Sequence, residues 1–198
     1  MNFTVIDFET ANSQRASACA LGIVKVENGQ ITEQGSWLIK PKDMRFNGMN
    51  IAIHGIRPED VVDEPEFDVL YETVFKDKLE GQLVVAHNAS FDISVLRQSL
   101  ALYGLDFPCF DYLCTVKIAQ KTWPELINHK LDQLSAFLKF KFRHHDALDD
   151  CLACANVLIE ACRKEGVASP LELTETLGIQ RGKLYPSGYQ PCSVNRKK

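Results

Sequence analysis

The stretch Phe3-Thr4-Val5-Ile6-Asp7-Phe8-Glu9-Thr10 decides how the rest of the chain is read. It is apolar and β-branched enough to be an interior strand, and side chains on a strand alternate between its two faces. Asp7 and Glu9, two positions apart, therefore leave the same face. Buried carboxylates so close repel each other and lose hydration, and a cation between them relieves both costs. A divalent metal is one solution. A strand end that carries both acids into water is the other, and the remaining sequence has to choose.

Length and composition set the frame. The chain has 198 residues, enough for one domain with a substantial core. Apolar residues make up 45% and charged residues 24%, the proportions of an ordinary globular protein. No basic segment precedes an apolar run at the N-terminus, and no apolar run approaches membrane-spanning length. Seven cysteines, an odd number without framework spacing, favour a reducing compartment, so a cytoplasmic location is expected. A net charge of −4 argues against gripping polyanions by bulk charge, yet metal-binding acids are counted in that sum.

Strand patterns at Phe3–Phe8, Ala18–Val26 and Ile31–Ile39 come first, the last two joined by Glu27-Asn28-Gly29-Gln30. Asn-Gly is a strong hairpin signal, so an antiparallel meander is expected. Pro41 to Pro65 reads as loop. Glu66–Lys78 reads as one amphipathic helix, Leu83–Ala86 as a buried strand, and Ser90 as the N-cap of a helix to Tyr103. Phe110–Leu113 reads as a strand, with helices over about Thr115–Lys121, Leu131–Phe140 and Leu148–Lys164. A meander followed by alternating strands and helices predicts an α/β fold, a mixed central sheet flanked by helices, with later strands parallel to the first. Residues 1–165 are expected to form the main domain and 166–198 an extended tail. That tail is basic: it holds Arg181, Lys183, Arg196, Lys197 and Lys198 and no acid from Ile179 onward.

Two further acidic motifs supply the second half of a metal site. In His87-Asn88-Ala89-Ser90-Phe91-Asp92 a strand ends and Asp92 enters the first turn of the next helix. An acid there also suits the helix dipole, but Asp92 precedes the apolar Leu96 by four residues and so leans inward. In His144-His145-Asp146-Ala147-Leu148-Asp149-Asp150-Cys151, a helix opening at Ala147 or Leu148 leaves His145 in the preceding loop and Asp150 in the first turn. From there a loop histidine can fold over the site as a base.

Together these three motifs resemble those of the DEDD exonuclease superfamily. They are Asp7-x-Glu9, Asp92 within His87-Asn88-x-x-Phe91-Asp92, and His145-x-Ala147-x-x-Asp150. A histidine five residues before the last aspartate marks the DEDDh subgroup, which includes the proofreading ε subunit of DNA polymerase III, RNase T and oligoribonuclease. Similarity runs from about Phe3 to Glu165. It implies a ribonuclease H-like fold and 3′–5′ exonuclease activity that releases 5′-mononucleotides. It further implies two divalent ions, Mg²⁺ or Mn²⁺, held by Asp7, Glu9, Asp92 and Asp150, with Asp7 bridging and His145 as general base. Phe8, Thr10, His54 (within His54-Gly55-Ile56) and Asn88 are the substrate contacts it implies. Phe8 and Thr10 beside the first motif, with His54-Gly55-Ile56, resemble the polymerase ε-type proofreaders more than oligoribonuclease, which implies single-stranded DNA over RNA as partner. A short-RNA exoribonuclease, and a polymerase-associated subunit docking through the tail, stand as alternatives.

Other features carry less. Cys151 and Cys154 form C-x-x-C without a second pair at zinc spacing, and they punctuate an apolar helix as core residues do. Lys139-Phe140-Lys141-Phe142-Arg143-His144 interleaves bases and aromatics. It suits either phosphate contact or a solvated edge.

Overall fold

The computed structural model of the chain describes residues 1–141, 143 and 145–195. Asp7 and Glu9 lie on β1 (Phe3–Thr10), which pairs antiparallel with β2 (Ala18–Glu27), itself paired with β3 (Gln30–Leu38). The β2–β3 turn is made at Asn28 and Gly29, whose φ values of 54° and 78° are the left-handed ones a two-residue hairpin turn requires.

The stretch expected to be loop between Pro41 and Pro65 contains two short helices, α1 (Gly48–His54) and α2 (Pro58–Val61). Asn47 caps α1 by accepting a 2.8 Å hydrogen bond from the Met49 N–H, and Pro58 opens α2. The next helical run is not a single α-helix. It is α3 (Phe67–Leu70), a π-helical segment (Tyr71–Phe75) and α4 (Lys76–Leu79). Phe67, Tyr71, Phe75 and Leu79 recur every fourth residue, and each is at most 2% exposed. A strict four-residue repeat drifts around a 3.6-residue helix; the wider π turn brings the large side chains back onto one line.

Past β1 the sheet becomes parallel: β4 (Leu83–Ala86) pairs with β1, and β5 (Phe110–Cys114) with β4. Between them runs α5 (Ser90–Tyr103), closed by Gly104 at φ 68°. Ser90 is not its N-cap but its first helical residue, because the chain already turns helical at Ala89. Then come α6 (Thr115–Thr122), α7 (Leu131–Phe137, three residues shorter than expected) and α8 (Ala147–Glu165).

The segment after Glu165 is not extended chain. It folds into α9 (Pro170–Leu177) and the strands β6 (Ile179–Gln180), β7 (Gly182–Tyr185), β8 (Gly188–Gln190) and β9 (Ser193–Val194). Gly182 and Leu184 are buried while Lys183 and Tyr185 are exposed, a strand alternation that lets β7 pair antiparallel with β5. Among the described residues the main sheet runs β3-β2-β1-β4-β5-β7-β8, with β6 and β9 paired apart from it. Arg196, Lys197 and Lys198, the basic end of the expected tail, lie outside the described residues.

On β1 the alternation separates two environments. Phe8 packs toward Phe67, ring centroids 6.5 Å apart, and Tyr103 of α5 stacks on Phe67 as well. α8 lies across β1 and β2. Gly22, the β2 partner of Asp7, is the contact point: a Cβ there would overlap the Ala147 carbonyl and lie 2.9 Å from the Leu148 nitrogen. The missing side chain lets the first turn of α8 rest on the sheet backbone. No helix among the described residues is long and apolar enough to cross a membrane.

Candidate active site

A cavity of about 890 Å³ opens at the C-terminal end of β1, and Asp7, Glu9, Asp92, His145 and Asp150 all line it. The two β1 acids are partly exposed; Asp92 and Asp150 are only 1% and 4% exposed. Asp92 arrives from the first turn of α5 and accepts a 3.0 Å hydrogen bond from the backbone N–H of Phe8 at its Oδ1. This bond ties the second acidic motif to the first across 84 residues of chain.

The crowded run at the start of α8 is sorted by capping. Asp146 is the N-cap, accepting from the N–H groups of Leu148 and Asp149, both at 3.2 Å. Asp149 is held by Arg143, which donates to it from its backbone N–H at 3.0 Å and from Nε at 3.2 Å. Asp150 is left to face the cavity, where its Oδ2 accepts from the His145 N–H at 3.0 Å. His145 adopts φ 68°, a left-handed conformation uncommon for a residue with a Cβ. That backbone turn folds the loop over the acids. Ligand atoms of Glu9, His145 and Asp150 lie within 4.8 Å of one another.

The other wall is built by α1. His54 Nδ1 accepts from the Ile56 N–H at 3.0 Å, so Nε2 carries the ring proton and donates it to the Thr10 carbonyl at 3.2 Å. Burial, foremost, holds the His54 imidazole below its ordinary pKa of 6.5, which keeps it in this neutral form. Asn50 Nδ2 donates to the same carbonyl at 2.8 Å. Thr10 and Phe8 both border the cavity, Thr10 as a 4% exposed residue and Phe8 with a ring only 2% exposed. Asn88, at φ 64°, turns the chain between β4 and α5 and accepts from Ser90 Oγ at 3.1 Å.

Asn50 and His129 were not expected in the site; both line the cavity. Asn50 sits in a stretch without periodicity, so no sequence pattern pointed to it. Gly22 was missed too, although a glycine inside the apolar run Ala20-Leu21-Gly22-Ile23-Val24 is a recognised sign of close backbone approach.

The acids are in electrostatic conflict with one another. Burial first, then Asp92, Asp150 and Glu9, raise the Asp7 carboxyl well above its ordinary range. Glu9 is raised from 4.5 to about 8 by burial, followed by Asp150, Asp92 and Asp146. Burial raises Asp92 as well, against the lowering effect of its hydrogen bond from Phe8. Its Oδ2 is buried with no hydrogen-bond partner, an unfavourable state for a carboxylate unless a cation meets it. A cluster of acidic oxygens with one imidazole, too repulsive to ionise alone, fits a hard divalent cation such as Mg²⁺ or Mn²⁺.

Acids from a meander strand and from the starts of two helices thus converge on one cavity, with a histidine beside them. The family profile described as Exonuclease (RNase T) matches residues 4–158. This chain belongs to that family, in its DEDDh 3′–5′ exonuclease branch, whose members use divalent metals. Over 179 residues it is 34% identical to the DNA polymerase III PolC-type of Thermotoga petrophila, covering 86% of this chain and 13% of that protein. Over 166 residues it is 32% identical to the 3′-5′ exonuclease DinG of Bacillus subtilis, covering 82% and 18%. The chain thus spans less than a fifth of the length of these relatives. Among solved structures it is similar to exonuclease X in complex with 5′ overhanging duplex DNA, with a TM-score of 0.70 and 28% identity, covering 88% of this chain and 99% of that one. Exonuclease I, at 16% identity and a TM-score of 0.73, covers 88% of this chain and 42% of its own, and shares the fold.

Proposed function

We propose that this chain is a metal-dependent 3′–5′ exonuclease that removes 5′-mononucleotides from the 3′ end of single-stranded DNA. The observation that carries this is the convergence of Asp7, Glu9, Asp92, Asp150 and His145 on one cavity, with the orphaned Asp92 Oδ2 among them. Two divalent ions, Mg²⁺ or Mn²⁺, held by the four carboxylates, would neutralise charge on the scissile phosphate and on the leaving oxygen. His145 then takes the proton of the attacking water at a ring nitrogen and passes it to solvent at the cavity mouth. His54 and Asn50 lock the Thr10 carbonyl, so the end of β1 is rigid where the terminal nucleotide lies against Phe8, Thr10 and Asn88. The DNA bound to exonuclease X and the polymerase relatives support DNA over RNA.

The test uses 5′-labelled single-stranded DNA and RNA of one sequence with Mg²⁺ or Mn²⁺. A ladder shortening from the 3′ end, faster on DNA and stopped by a chelator, is expected. A faster RNA ladder would transfer the substrate to RNA, and no ladder on either polymer with metal bound would sink the proposal.

The closeness of His145 to Glu9 and Asp150 favours a second role for it, as a metal ligand. His145→Ala separates the two. A base gives turnover lower by about 10²-fold with unchanged Mn²⁺ affinity by calorimetry; a ligand gives a large loss of affinity.

A further inference from the structure

A second cleft, of about 440 Å³, adjoins the catalytic cavity and shares Asn88, Val116 and Gln120 with it. Its floor is made by the first turns of α5 and α6, through Ser90, Ile93 and Lys117, and its outer wall by Tyr189, Pro191 and Cys192 after β7. That wall lies beyond residues 4–158, the part of the chain that matches the exonuclease family. The cleft lies along the sheet edge where β7 and β8 follow β5.

Its chemistry is one-sided. Arg97 and Lys117 line it, together with amide and hydroxyl side chains, and no acid does. Several described cations pair with Asp or Glu at the surface, as Arg163 does with Glu160 and Arg181 with Asp111. No such pair is formed by Arg97 or Lys117 with a described residue. Instead the Arg97 guanidinium lies 3.6 Å from the centroid of the Tyr189 ring, and its Nε is buried without a hydrogen-bond partner. Stacking on an aromatic face fixes the guanidinium plane and leaves its edge donors unused, the arrangement that suits a phosphate. The positive ends of α5 and α6 add to the same potential.

Resting on the nuclease reading above, we infer that this cleft is a phosphodiester-binding subsite. It holds the backbone of the substrate strand upstream of the terminal nucleotide. A strand whose 3′ end lies against Thr10 and His54 would leave the cavity past Asn88 and Gln120 and meet Arg97 and Lys117 next. In a chain of net charge −4, such a local patch supplies the grip that bulk charge does not.

The test compares the parent protein with the double variant Arg97→Gln/Lys117→Gln on two substrates. One is the p-nitrophenyl ester of thymidine 5′-monophosphate, which occupies the catalytic cavity alone. The other is a labelled single strand of about twelve nucleotides, long enough to span a cleft of this kind. Ester hydrolysis is expected unchanged, while KM for the strand rises about tenfold. The slope of log affinity against log salt should become shallower by about 1.4, the value for two phosphate contacts on a single strand. Unchanged KM and salt slope on the strand would overturn the inference. Binding of the strand is also followed by fluorescence anisotropy on both proteins. A parent protein that binds but cuts neither substrate faults the nuclease reading, and the anisotropy slopes still decide on the cleft. A parent protein that neither binds nor cuts overturns both. Should loss of the Tyr189 stack impair folding, Lys117→Gln alone is read for half the slope change, about 0.7.

Discussion

Asp7→Asn is expected to lose about 10⁴-fold in turnover and, without metal at pH 8, to melt about 4–8 °C higher than the parent protein. Both effects come from one position. Asp7 sits between Glu9 on its own strand and Asp92 and Asp150 on two helices, and each of these raises its pKa. On the proposed reading, Asp7 is one of the four carboxylates that would hold divalent ions, and the neutral amide put in its place would be a poorer ligand for a hard cation. The stability gain follows from proton linkage. Glu9 ordinarily titrates at 4.5 and is raised to about 8 in the folded chain. The folded state therefore binds more protons than the unfolded one between those values. Stability from this group is complete below pH 4.5 and is lost as pH climbs toward 8. Asp7 is itself raised well above its ordinary range by burial and then by Asp92, Asp150 and Glu9, so its own ionisation costs stability in the same direction. A neutral amide removes that cost, and the gap between variant and parent should be wide at pH 8 and narrow at pH 5. A rise of that size corresponds to about 2 kcal/mol in a chain of this length. Thermal melts of the two metal-free proteins at both pH values check it, and equal melting points at pH 8 would mean that the acids do not repel as their placement implies. Added Mn²⁺ should reverse the order, because only the parent gains the full binding energy.

The acids were legible because each is tied to a period or an offset. Asp7 and Glu9 alternate with apolar neighbours on a strand, and Asp92 stands four residues before Leu96. Which of Asp146, Asp149 and Asp150 faces inward could be taken only from the offset to His145; the physical sorting, by a cap at Asp146 and an arginine at Asp149, arises only in the folded chain. What stayed hidden has no local period. The four-residue repeat of Phe67, Tyr71, Phe75 and Leu79 looks like an ordinary apolar helix face, and its π turn appears only when all four must point at one core. Short helices such as α1 are fixed by a cap and by contacts to Thr10 rather than by their own amphipathicity. The strands after Gly178 are two to four residues long, below the length at which alternation can be told from chance. Their glycines and prolines pointed to coil. Pairing with β5 is what makes β7 a strand, and that partner lies about 70 residues earlier in the chain.

Gly22→Ala should come within about tenfold of the loss of an acid in its damage to turnover, though it removes no polar atom. The added methyl would overlap the Ala147 carbonyl, a backbone group at the start of a 19-residue helix. A flexible side chain cannot swing aside to make room; α8 itself has to lift from β2. Overpacking of this kind costs about 1–3 kcal/mol, and the displaced turn carries both Asp150 and the loop that ends in His145. A shift of about 1 Å is worth roughly 10²-fold in rate for one reacting group. With two groups moved, turnover should drop about 10³-fold and Mn²⁺ affinity about tenfold. Val24→Ala, two residues along β2 and fully buried, is the control. It loses packing of similar magnitude, about 2 kcal/mol, without touching α8's first turn. At a temperature where both variants are folded by circular dichroism, Val24→Ala should keep its metal affinity and turnover while Gly22→Ala loses both. Parallel losses in the two would reduce Gly22 to a stability position. A selective loss would make the bare backbone opposite Asp7 the element that sets the distance between the two halves of the acid cluster.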